Sequence, residues 1–432
     1  MPVTSMMRIA PLFLLAFLLA TATEAAVVRV PDDHARVTDA LVAASPGDTV
    51  QVGAGLYSPG ANGEAFPLFL GKNDLCLLGA GAAVCTLDAG GAGSVIVTTA
   101  ASGGRISGFT ITGGSAFSGG GIRVATGEGP EIDHNVLWSN AAQTSGSGIQ
   151  VDGFTAPWIH HNVLWENHDV DVEAEGDPHG IQFATHAEGT VEHNLVGRGD
   201  SNGLLTASGS HPVVRNNIFF ENGIPALRGR GICHFGDSTT VIAHNLLHGN
   251  VIAALLVGGM PPVNVSGADA NGLSPTDGIY ENLDGDPLFL NAEASDWRLA
   301  PQSPAIDAGD PLSPPDPDGT TADVGPFYHD QEAGGVPDAD PSVRALISFP
   351  NPFRAGTTLL FTTRTAGRVV VGVHDVEGRR VVDLMDAHRE PGTHTIAWDG
   401  RVTSGRRAAP GVYYLKLDAG RGKDARKVVL LP

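Results

Sequence analysis

One short pattern occurs five times in the middle of the chain, and its spacing restricts the fold more than any other feature. Each copy has a glycine followed by an aliphatic residue and then an asparagine, and the interval from the aliphatic residue to the asparagine is identical in all five copies. The interval from each asparagine to the next such aliphatic residue varies, and it is shortest after Asn194 and longest after Asn162. The asparagines are Asn135, Asn162, Asn194, Asn217 and Asn245. A constant segment that alternates with a variable one is typical of a solenoid, in which stacked strands keep their register while outward loops vary.

The residues around each asparagine predict short strands. Aliphatic residues fall at alternate positions, as at Val191 before Asn194 and Leu137 after Asn135, and a period of two is that of a strand. The stretch between successive asparagines is long enough for two or three such strands in each coil. The 57 glycines and 29 prolines suit a chain that turns several corners per coil. The sequence therefore predicts an all-β fold, a parallel β-helix.

The repeated asparagines are predicted to be structural rather than catalytic. Asparagine tolerates a left-handed backbone and bonds to neighbouring backbone groups, so the five should stack as a ladder at one corner. A second column, interrupted by Gly199, follows at Asn140, Asn167, Asn222 and Asn250. The position before the ladder is held by His134, His161, His193, Asn216 and His244. We interpret these as a stacked structural column; metal binding is the alternative, although no HExxH or CxxC pattern accompanies them.

The chain divides into four segments. Residues 1–26 carry Arg8, an apolar run over 9–20 and then small residues, the pattern of a cleaved signal peptide. That run is short for a membrane span, and no other segment is predicted to be transmembrane. Residues 27–330 are the predicted β-helix, with a capping helix over 32–44. Residues 331–342 are a linker, and residues 343–432 alternate strands and turns as a β-sandwich does.

Charge is divided unevenly between these segments. The formal net charge is −21, but residues 343–432 hold 15 of the 26 basic and 8 of the 47 acidic residues, a balance of +7 against −28 elsewhere. The acidic excess argues against a nucleic-acid partner, because phosphates would be repelled. Three cysteines are too few for a disulfide framework. We expect a monomer with capped ends that is secreted or held at the outer cell surface.

Several sequence phrases resemble a known superfamily. The phrase GDTVQV-x-x-GLY at 47–57, the phrase LLGAGAAVCTLDA at 77–89, the preceding helix and the His-Asn repeats together resemble the right-handed parallel β-helix superfamily, the pectin-lyase-like fold, over 27–330. Phrases between 280 and 325 resemble the last coils of surface β-helix proteins and imply a C-terminal cap. Enzymes of this superfamily cleave polysaccharides by lyase or hydrolase chemistry. Their familiar active-site phrases are missing here, and Lys72, the only lysine of the segment, lies away from the repeats.

The last segment resembles two related kinds of domain. The phrases at 351–353, 375–379, 398–401 and 410–414 resemble the Ig-like domain of flagellar hook-cap proteins. They also resemble the C-terminal sorting domain of type IX secretion. Either resemblance implies a role in placing the protein outside the cell rather than a chemical one.

A column rich in aromatic rings follows the ladder by three residues. Its members are Trp138, Trp165, Gly197, Phe220 and His248. By alternation they should point outward, and coils stacked about 4.8 Å apart would arrange the rings as a ribbon for the flat face of a sugar. Trp138, Trp165 and Phe220 are therefore candidate substrate-binding residues. The alternative is that a loop or the last domain covers them.

The longest loop between the repeats, residues 168–179, is the richest acidic stretch. If it is extended, one side carries Asp169, Asp171, Glu173 and Glu175, and carboxylates so close together favour a calcium ion. Asp177 and His179 at its end are further candidates for contact with a substrate. The alternative is a solvated acidic loop. A second acidic loop, residues 316–323, lacks the glutamate of an EF-hand loop, and we interpret it as a turn.

These observations favour a secreted or cell-surface protein that binds a glycan or another extracellular polymer without catalysis. Calcium is the one cofactor that the sequence suggests. A polysaccharide lyase or glycoside hydrolase is the first alternative, and a structural adhesin or envelope component is the second.

Overall fold

The computed structural model describes most of the chain. The described residues are 25–99, 103–170, 179–184, 186–207, 209–223, 229–235, 240–257, 263–265, 278–331, 343–349, 353, 356–363, 366–376, 378–390, 392–419 and 422–431. Apart from residues 25 and 26, the predicted signal peptide lies outside them, as do residues 332–342 of the linker. Asp171, Glu173, Glu175 and Asp177 of the predicted calcium and substrate sites also lie outside the described residues.

The coils of the first segment build three long sheets. The first sheet is parallel throughout and has ten strands, Val27–Val30, Thr49–Val52, Cys76–Gly79, Arg105–Ser107, Glu131–Asp133, Trp158–His160, Thr190–Glu192, Val213–Arg215, Val241–Ala243 and Ile279–Tyr280. The second, also parallel, has nine, Gly55–Tyr57, Cys85–Asp88, Thr110–Thr112, Val136–Trp138, Val163–Trp165, Leu195–Gly197, Ile218–Phe220, Leu246–His248 and Leu283–Asp284. Strands joined only to the coils before and after them confirm the predicted parallel β-helix.

The third sheet closes the coils. Its strands are Leu68–Leu70, Ile96–Thr98, Ile122–Val124, Ile149–Val151, Ile181–Phe183, Leu204–Thr206, Arg230–His234, Ala253–Val257 and Val263–Val265, of which the last is antiparallel. A short parallel side sheet joins Ser115–Ser118, Ala141–Ser145 and His168–Asp169. Between the sheets, side chains at alternate strand positions fill the core. In the first sheet the fully buried column includes Ile106, Ile132, Ile159, Val191, Val214 and Ile242. Burying one such side chain contributes about 1.5–3 kcal/mol, so these columns supply most of the stability.

The ladder asparagines line the corner between the first and second sheets. Each side-chain oxygen accepts hydrogen bonds from the backbone and side-chain N–H groups of the asparagine one coil earlier; from Asn135 to Asn162 these measure 3.0 and 3.1 Å. The column begins at the N–H of Phe109 and ends at a sixth asparagine, Asn282. The left-handed backbone lies one residue earlier than expected, as at His134, where φ is 53°. That turn directs the following amide inward, where it replaces water as the partner of buried carbonyls.

A short helix, Val37–Ala43, covers the first coil with Val37, Ala40 and Leu41 buried. It begins later than the predicted residue 32, because the carboxylate of Glu64 accepts the N–H groups of Val37 (2.7 Å) and Thr38 (2.9 Å). At the other end, Lys72 Nζ donates to the carbonyl oxygens of Leu41 and Val42, both at 2.8 Å. The only lysine of the segment therefore completes the helix C-terminus and has a structural role.

Residues 289–325, which we call the flank segment, correct the predicted C-terminal cap. They contain an antiparallel pair, Phe289–Asn291 and Asp296–Leu299, and a 3₁₀-helix, Ala292–Ala294. Instead of lying only at the end of the solenoid, the segment packs along the outer face of the second sheet. A separate apolar cluster forms there from Val163, Trp165, Leu195, Ile218, Phe220, Leu246, Trp297, Leu299, Ala305 and Val324.

The last domain has two antiparallel sheets, as predicted for a sandwich. One contains Val343–Phe349, Thr357–Thr363 and Gly392–Trp398, and the other Gly367–Asp375, Arg380–Arg389, Gly411–Ala419 and Gly422–Leu430. Trp398 is buried against Phe353 and Tyr413 in its core. Across the part of the chain that the structure describes, no helix has the length and apolar character needed to cross a membrane.

Candidate functional site

The aromatic column is in register, but most of it is covered. Trp138 pairs with Trp165, and Gly197 pairs with Phe220, as the spacing predicts. Trp138 is 42% exposed, whereas Trp165 and Phe220 are 4% and 7% exposed. The expectation that all three rings face solvent is therefore corrected, because the flank segment lies over Trp165 and Phe220 and places Trp297 5.4 Å from Trp165 between ring centroids.

The packing of the flank segment over the second sheet explains two departures from the repeat, Gly197 and Asn216. A Cβ at Gly197 would lie 2.7 Å from the Trp165 ring, so only glycine lets that ring lie flat between two coils. Asn216 interrupts the histidine column because its amide holds the flank segment: it accepts from the N–H of Asp310 at 2.8 Å and donates to the hydroxyl of Ser313 at 3.0 Å. Both residues therefore differ from the repeat because of a tertiary contact.

The loop 316–323 is a turn in which the Gly319 N–H donates to the Asp316 carbonyl, and its charge makes the stability depend on pH. Burial, and then repulsion from Asp323, raise the pKa of Asp316 to about 7, from an ordinary value of 3.8. The folded chain thus holds an additional proton between these values. The stabilisation is fully present below the ordinary pKa and is lost as the pH rises through about 7. Solvent screening at this half-exposed group limits the loss to about 1–2 kcal/mol.

We expect Asp316→Asn to melt at a higher temperature than the wild type at pH 8, by a margin that narrows at pH 5. The reason is that the amide mimics the neutral acid at every pH. Asp318→Asn is the matched control, since hydrogen bonds from Gln331 and Thr320 lower the pKa of Asp318 and its loss should destabilise at pH 8. Thermal unfolding followed by circular dichroism measures both, and equal shifts at the two pH values would contradict the assignment.

The predicted calcium loop is described only at its two ends. Asp169 is buried in the side sheet, and its backbone N–H donates to the Asp200 carboxylate at 2.8 Å. His179 is buried as well, with its Nδ1 3.1 Å from the side-chain nitrogen of Asn202. Burial makes His179 a poor contact for an external substrate. Calcium binding by Asp169 with Asp171, Glu173 and Glu175 stays a prediction.

A second group of polar side chains lies on the outer face of the first sheet, and we call it the polar face. Its members are Arg105, Glu131, Asp133, Trp158, His160, Glu192 and Arg215. The motifs in the sequence did not single this group out. The spacing could have revealed it, however. These residues stand two or four positions before a ladder position, and alternation places them on the outward side of the same strands.

An ion-paired core anchors the polar face. The guanidinium of Arg105 holds both oxygens of Asp133, and Asp133 also bonds to Nδ1 of His134. Burial by itself would raise the pKa of the Asp133 carboxyl, but the hydrogen bonds from Arg105 and His134 outweigh it and hold that pKa below its usual range. Asp133 is fully buried and the His134 side chain is 53% exposed. The result is an imidazole oriented by a buried carboxylate, with its other edge towards solvent.

Glu131, Asp133 and His160 form a group of possible metal ligands, and within the described residues no other such group of three is present. Their ligand atoms lie within 4.8 Å of one another, and His160 Nε2 is 3.1 Å from Glu131 Oε1. The guanidinium of Arg105, however, lies on Asp133 and 3.6 Å from Glu131. A divalent ion there would be repelled by this fixed charge. We therefore interpret the group as an ion-pair network whose cation is Arg105.

Trp158 is the exposed ring of the polar face, at 47%. Its indole N–H donates to Glu192 at 2.7 Å, and its ring lies 4.0 Å from that of His160 between centroids. Glu192 is held in turn by Arg215, which also binds Asp310 of the flank segment at 2.9 Å. The ring is thus held at its edge and on one face, while part of its surface remains open to solvent.

The stacked imidazoles of His134, His161 and His193, which we call the histidine corner, lie next to the strand that carries Trp158. The imidazoles of His134 and His161 stack at 5.3 Å, and those of His161 and His193 at 5.0 Å. Burial, followed by the charges of neighbouring histidines, lowers the pKa of His161 to about 2, and burial also lowers the pKa of His193. Both rings are neutral at pH 7, as a stacked column requires.

Two stretches of the chain match known family models. Residues 94–269 match the right handed beta helix region, and residues 352–423 match the FlgD Ig-like domain. The chain joins a right-handed β-helix to a FlgD Ig-like domain. This confirms the resemblance to the hook-cap domain, while the relation to type IX sorting domains stays a prediction. No curated protein matches the chain.

Solved structures show weaker likenesses. Dimeric latent PorU from Porphyromonas gingivalis is 23% identical over 20% of this chain and 9% of its own, with a TM-score of 0.18. The PL6 family alginate lyase AlyGC is 17% identical over 54% of this chain and 40% of its own, with a TM-score of 0.31. ORF18 of Geobacillus virus E2 is 10% identical over 94% of this chain and 86% of its own, with a TM-score of 0.19. The chain thus spans less than half the length of PorU or AlyGC.

The polar face belongs to the matched β-helix. Its strands, from Arg105–Ser107 to Val213–Arg215, all fall within residues 94–269. Asp310, which completes the pairing of Arg215, comes from the flank segment beyond the match. The β-helix therefore presents the face, and the later segment fixes one end of it.

Proposed function

We propose that the β-helix binds an extracellular glycan on the polar face, with Trp158 as the main contact, and does not cleave it. We further propose that the signal peptide exports the chain and that the FlgD Ig-like domain holds it at the cell surface. The observation that carries the binding proposal is the exposed Trp158 ring, fixed by Glu192 at its edge and by His160 on one face.

A ring held in this way suits sugar binding for two reasons. Indole presents a flat apolar surface of the size of a pyranose ring, next to polar groups that can meet its hydroxyls. Because Glu192 and His160 already restrain the side chain, little conformational entropy is lost when a ligand settles on it. Trp138 offers a similar second surface around the histidine corner, since its indole N–H is held by Glu166 at 3.0 Å.

Cleavage is the second candidate function, and one observation favours it. The buried carboxylate of Asp133 orients Nδ1 of His134, and that imidazole is half exposed. A base oriented by a carboxylate is the arrangement that activates a hydroxyl or abstracts a proton in many enzymes. Product analysis in the binding experiment separates the two functions, because a lyase yields unsaturated ends that absorb in the ultraviolet and a hydrolase yields reducing ends.

We expect Trp158→Ala to weaken glycan binding about tenfold or more, which corresponds to at least about 1.4 kcal/mol of lost ring contact. Affinity electrophoresis and calorimetry of the full secreted chain, against soluble neutral glycans and polyuronates with and without calcium, measure the loss.

Phe117→Ala is the matched control, since Phe117 is also exposed but lies on the side sheet. It should bind as the wild type does. If Trp138→Ala abolishes binding and Trp158→Ala does not, the ligand lies on the second sheet and the proposed face is wrong.

A further inference from the structure

We infer that the polar face selects an uncharged, hydroxyl-rich glycan and rejects polyuronates. This inference rests on the proposed function, because it names the class of glycan that the Trp158 face would take. It follows from how the charged groups beside the ring are already paired.

Both arginines of the polar face are committed to carboxylates of the protein. Arg105 binds Asp133 and lies 3.6 Å from Glu131, and Arg215 bonds to Glu192 at 2.8 Å and to Asp310 at 2.9 Å. Four carboxylates thus surround two guanidinium groups, and the face carries excess negative charge. A uronate would need a cation to receive its carboxylate, and each of these two is already shared between two acids.

The groups next to the ring accept hydrogen bonds rather than supply positive charge. Glu131 and Thr190 pair in register with Trp158, one on each neighbouring coil. The Glu131 side chain is 31% exposed, and an ionised carboxylate can only accept hydrogen bonds. Sugar hydroxyls can donate to it, whereas the carboxylate of a uronate would be repelled. The hydroxyl of Thr190 can either donate or accept.

The imidazoles do not reverse this selection at neutral pH. Burial holds the pKa of His161 and His193 below the ordinary value, so neither contributes a positive charge to the corner. His160, the imidazole that contacts the ring, lies 3.1 Å from Glu131 Oε1, and the carboxylates beside the ring are those of Glu131 and Glu192. Selection against anionic ligands is therefore built from fixed ion pairs on four coils and the flank segment.

The test compares neutral xylan, mannan and mixed-linkage glucan with polygalacturonate and alginate, using the full chain without divalent ions at 20 and 200 mM salt. We expect the neutral ligand that binds best to bind at least about tenfold more tightly than either polyuronate. Its affinity should change less than about twofold with salt, because no charge is neutralised on binding. Glu131→Lys should gain polyuronate binding at 20 mM salt and lose the gain at 200 mM.

The outcomes separate this inference from the proposed function. Tighter binding of a polyuronate by the wild type under these conditions would overturn the inference and leave the glycan-binding proposal standing. Retention of none of the glycans would overturn both. Glu131→Gln keeps the size of the side chain and serves as a second variant in case the lysine variant misfolds. It should weaken the binding of the neutral glycan less than Trp158→Ala does. A gain in affinity for the neutral glycan would also count against the inference.

Discussion

We expect Asn194→Ala to lower the free energy of unfolding of the β-helix by about 3–5 kcal/mol. Asn194 is fully buried in the middle of the ladder. Its amide donates to the carbonyls of Ile159 and Glu192, both at 2.9 Å, and to Asn217 at 3.0 Å. Its oxygen accepts two N–H groups of Asn162, at 2.9 and 3.0 Å. Alanine leaves these partners buried without a replacement, and each orphaned group costs about 1–3 kcal/mol.

Urea unfolding followed by far-ultraviolet circular dichroism measures this loss. Gln143→Ala is the control, because Gln143 carries the same amide group on an exposed position of the side sheet and its substitution should change stability by less than about 0.5 kcal/mol. Below the pKa of the new acid, Asn194→Asp keeps the accepting oxygen and has one O–H donor where the amide had two N–H donors, so its stability should fall between those of the alanine variant and the wild type. A loss under about 1 kcal/mol for Asn194→Ala would show that the ladder contributes little beyond packing.

We expect Trp297→Ala to lower the free energy of unfolding by about 3–5 kcal/mol and to uncover the aromatic rings beneath the flank segment. Trp297 is buried against Trp165, and the same cluster holds Leu299 and Phe220. The indole N–H of Trp297 has no hydrogen-bond partner in the described structure. Its removal therefore orphans no polar group through that N–H, and the loss reports packing.

Two measurements test the loss of stability and the uncovering of the aromatic rings. Unfolding in urea gives the loss of free energy. Acrylamide quenching of tryptophan fluorescence, with the exposed Trp138 and Trp158 replaced by phenylalanine in both proteins, reports the exposure of Trp165, which should rise in the variant. Trp158→Ala is the matched control, because that ring is already exposed and its removal should cost less than about 1 kcal/mol. Equal stability of the two variants would mean that the flank segment is only loosely held. A gain of glycan binding in Trp297→Ala would show that the covered ribbon can also act as a sugar surface.

Much of the fold could be predicted because a solenoid repeats local rules. The constant interval between each aliphatic residue and its asparagine brings Asn135, Asn162 and Asn194 to the same corner whatever the length of the loops between them. The same regularity places Trp138 beside Trp165 in the second sheet. Neighbouring coils must bond strand to strand, so a register that is constant in sequence is constant in space.

The candidate site could be predicted only in part, because exposure is not a property of the repeat. Trp138 and Trp165 occupy equivalent positions, yet one is open and the other is covered by residues more than a hundred positions later. The polar face could have been found from alternation alone, since Glu131 and Trp158 stand at one outward position of adjacent strands. The ion pairs of the polar face could not have been found in this way, because Arg215 pairs with Asp310, which lies 95 residues away in the sequence.

The sequence by itself thus determined the coil, its register and the corner ladder, since these follow from contacts between one coil and the next. Tertiary structure alone decided which outward rings meet solvent, which arginines are satisfied and why Gly197 and Asn216 interrupt their columns. The physical reason is the range of the interactions. Strand pairing joins residues one coil apart and leaves a period in the sequence, whereas the flank segment folds back once across several coils and leaves only single departures from that period.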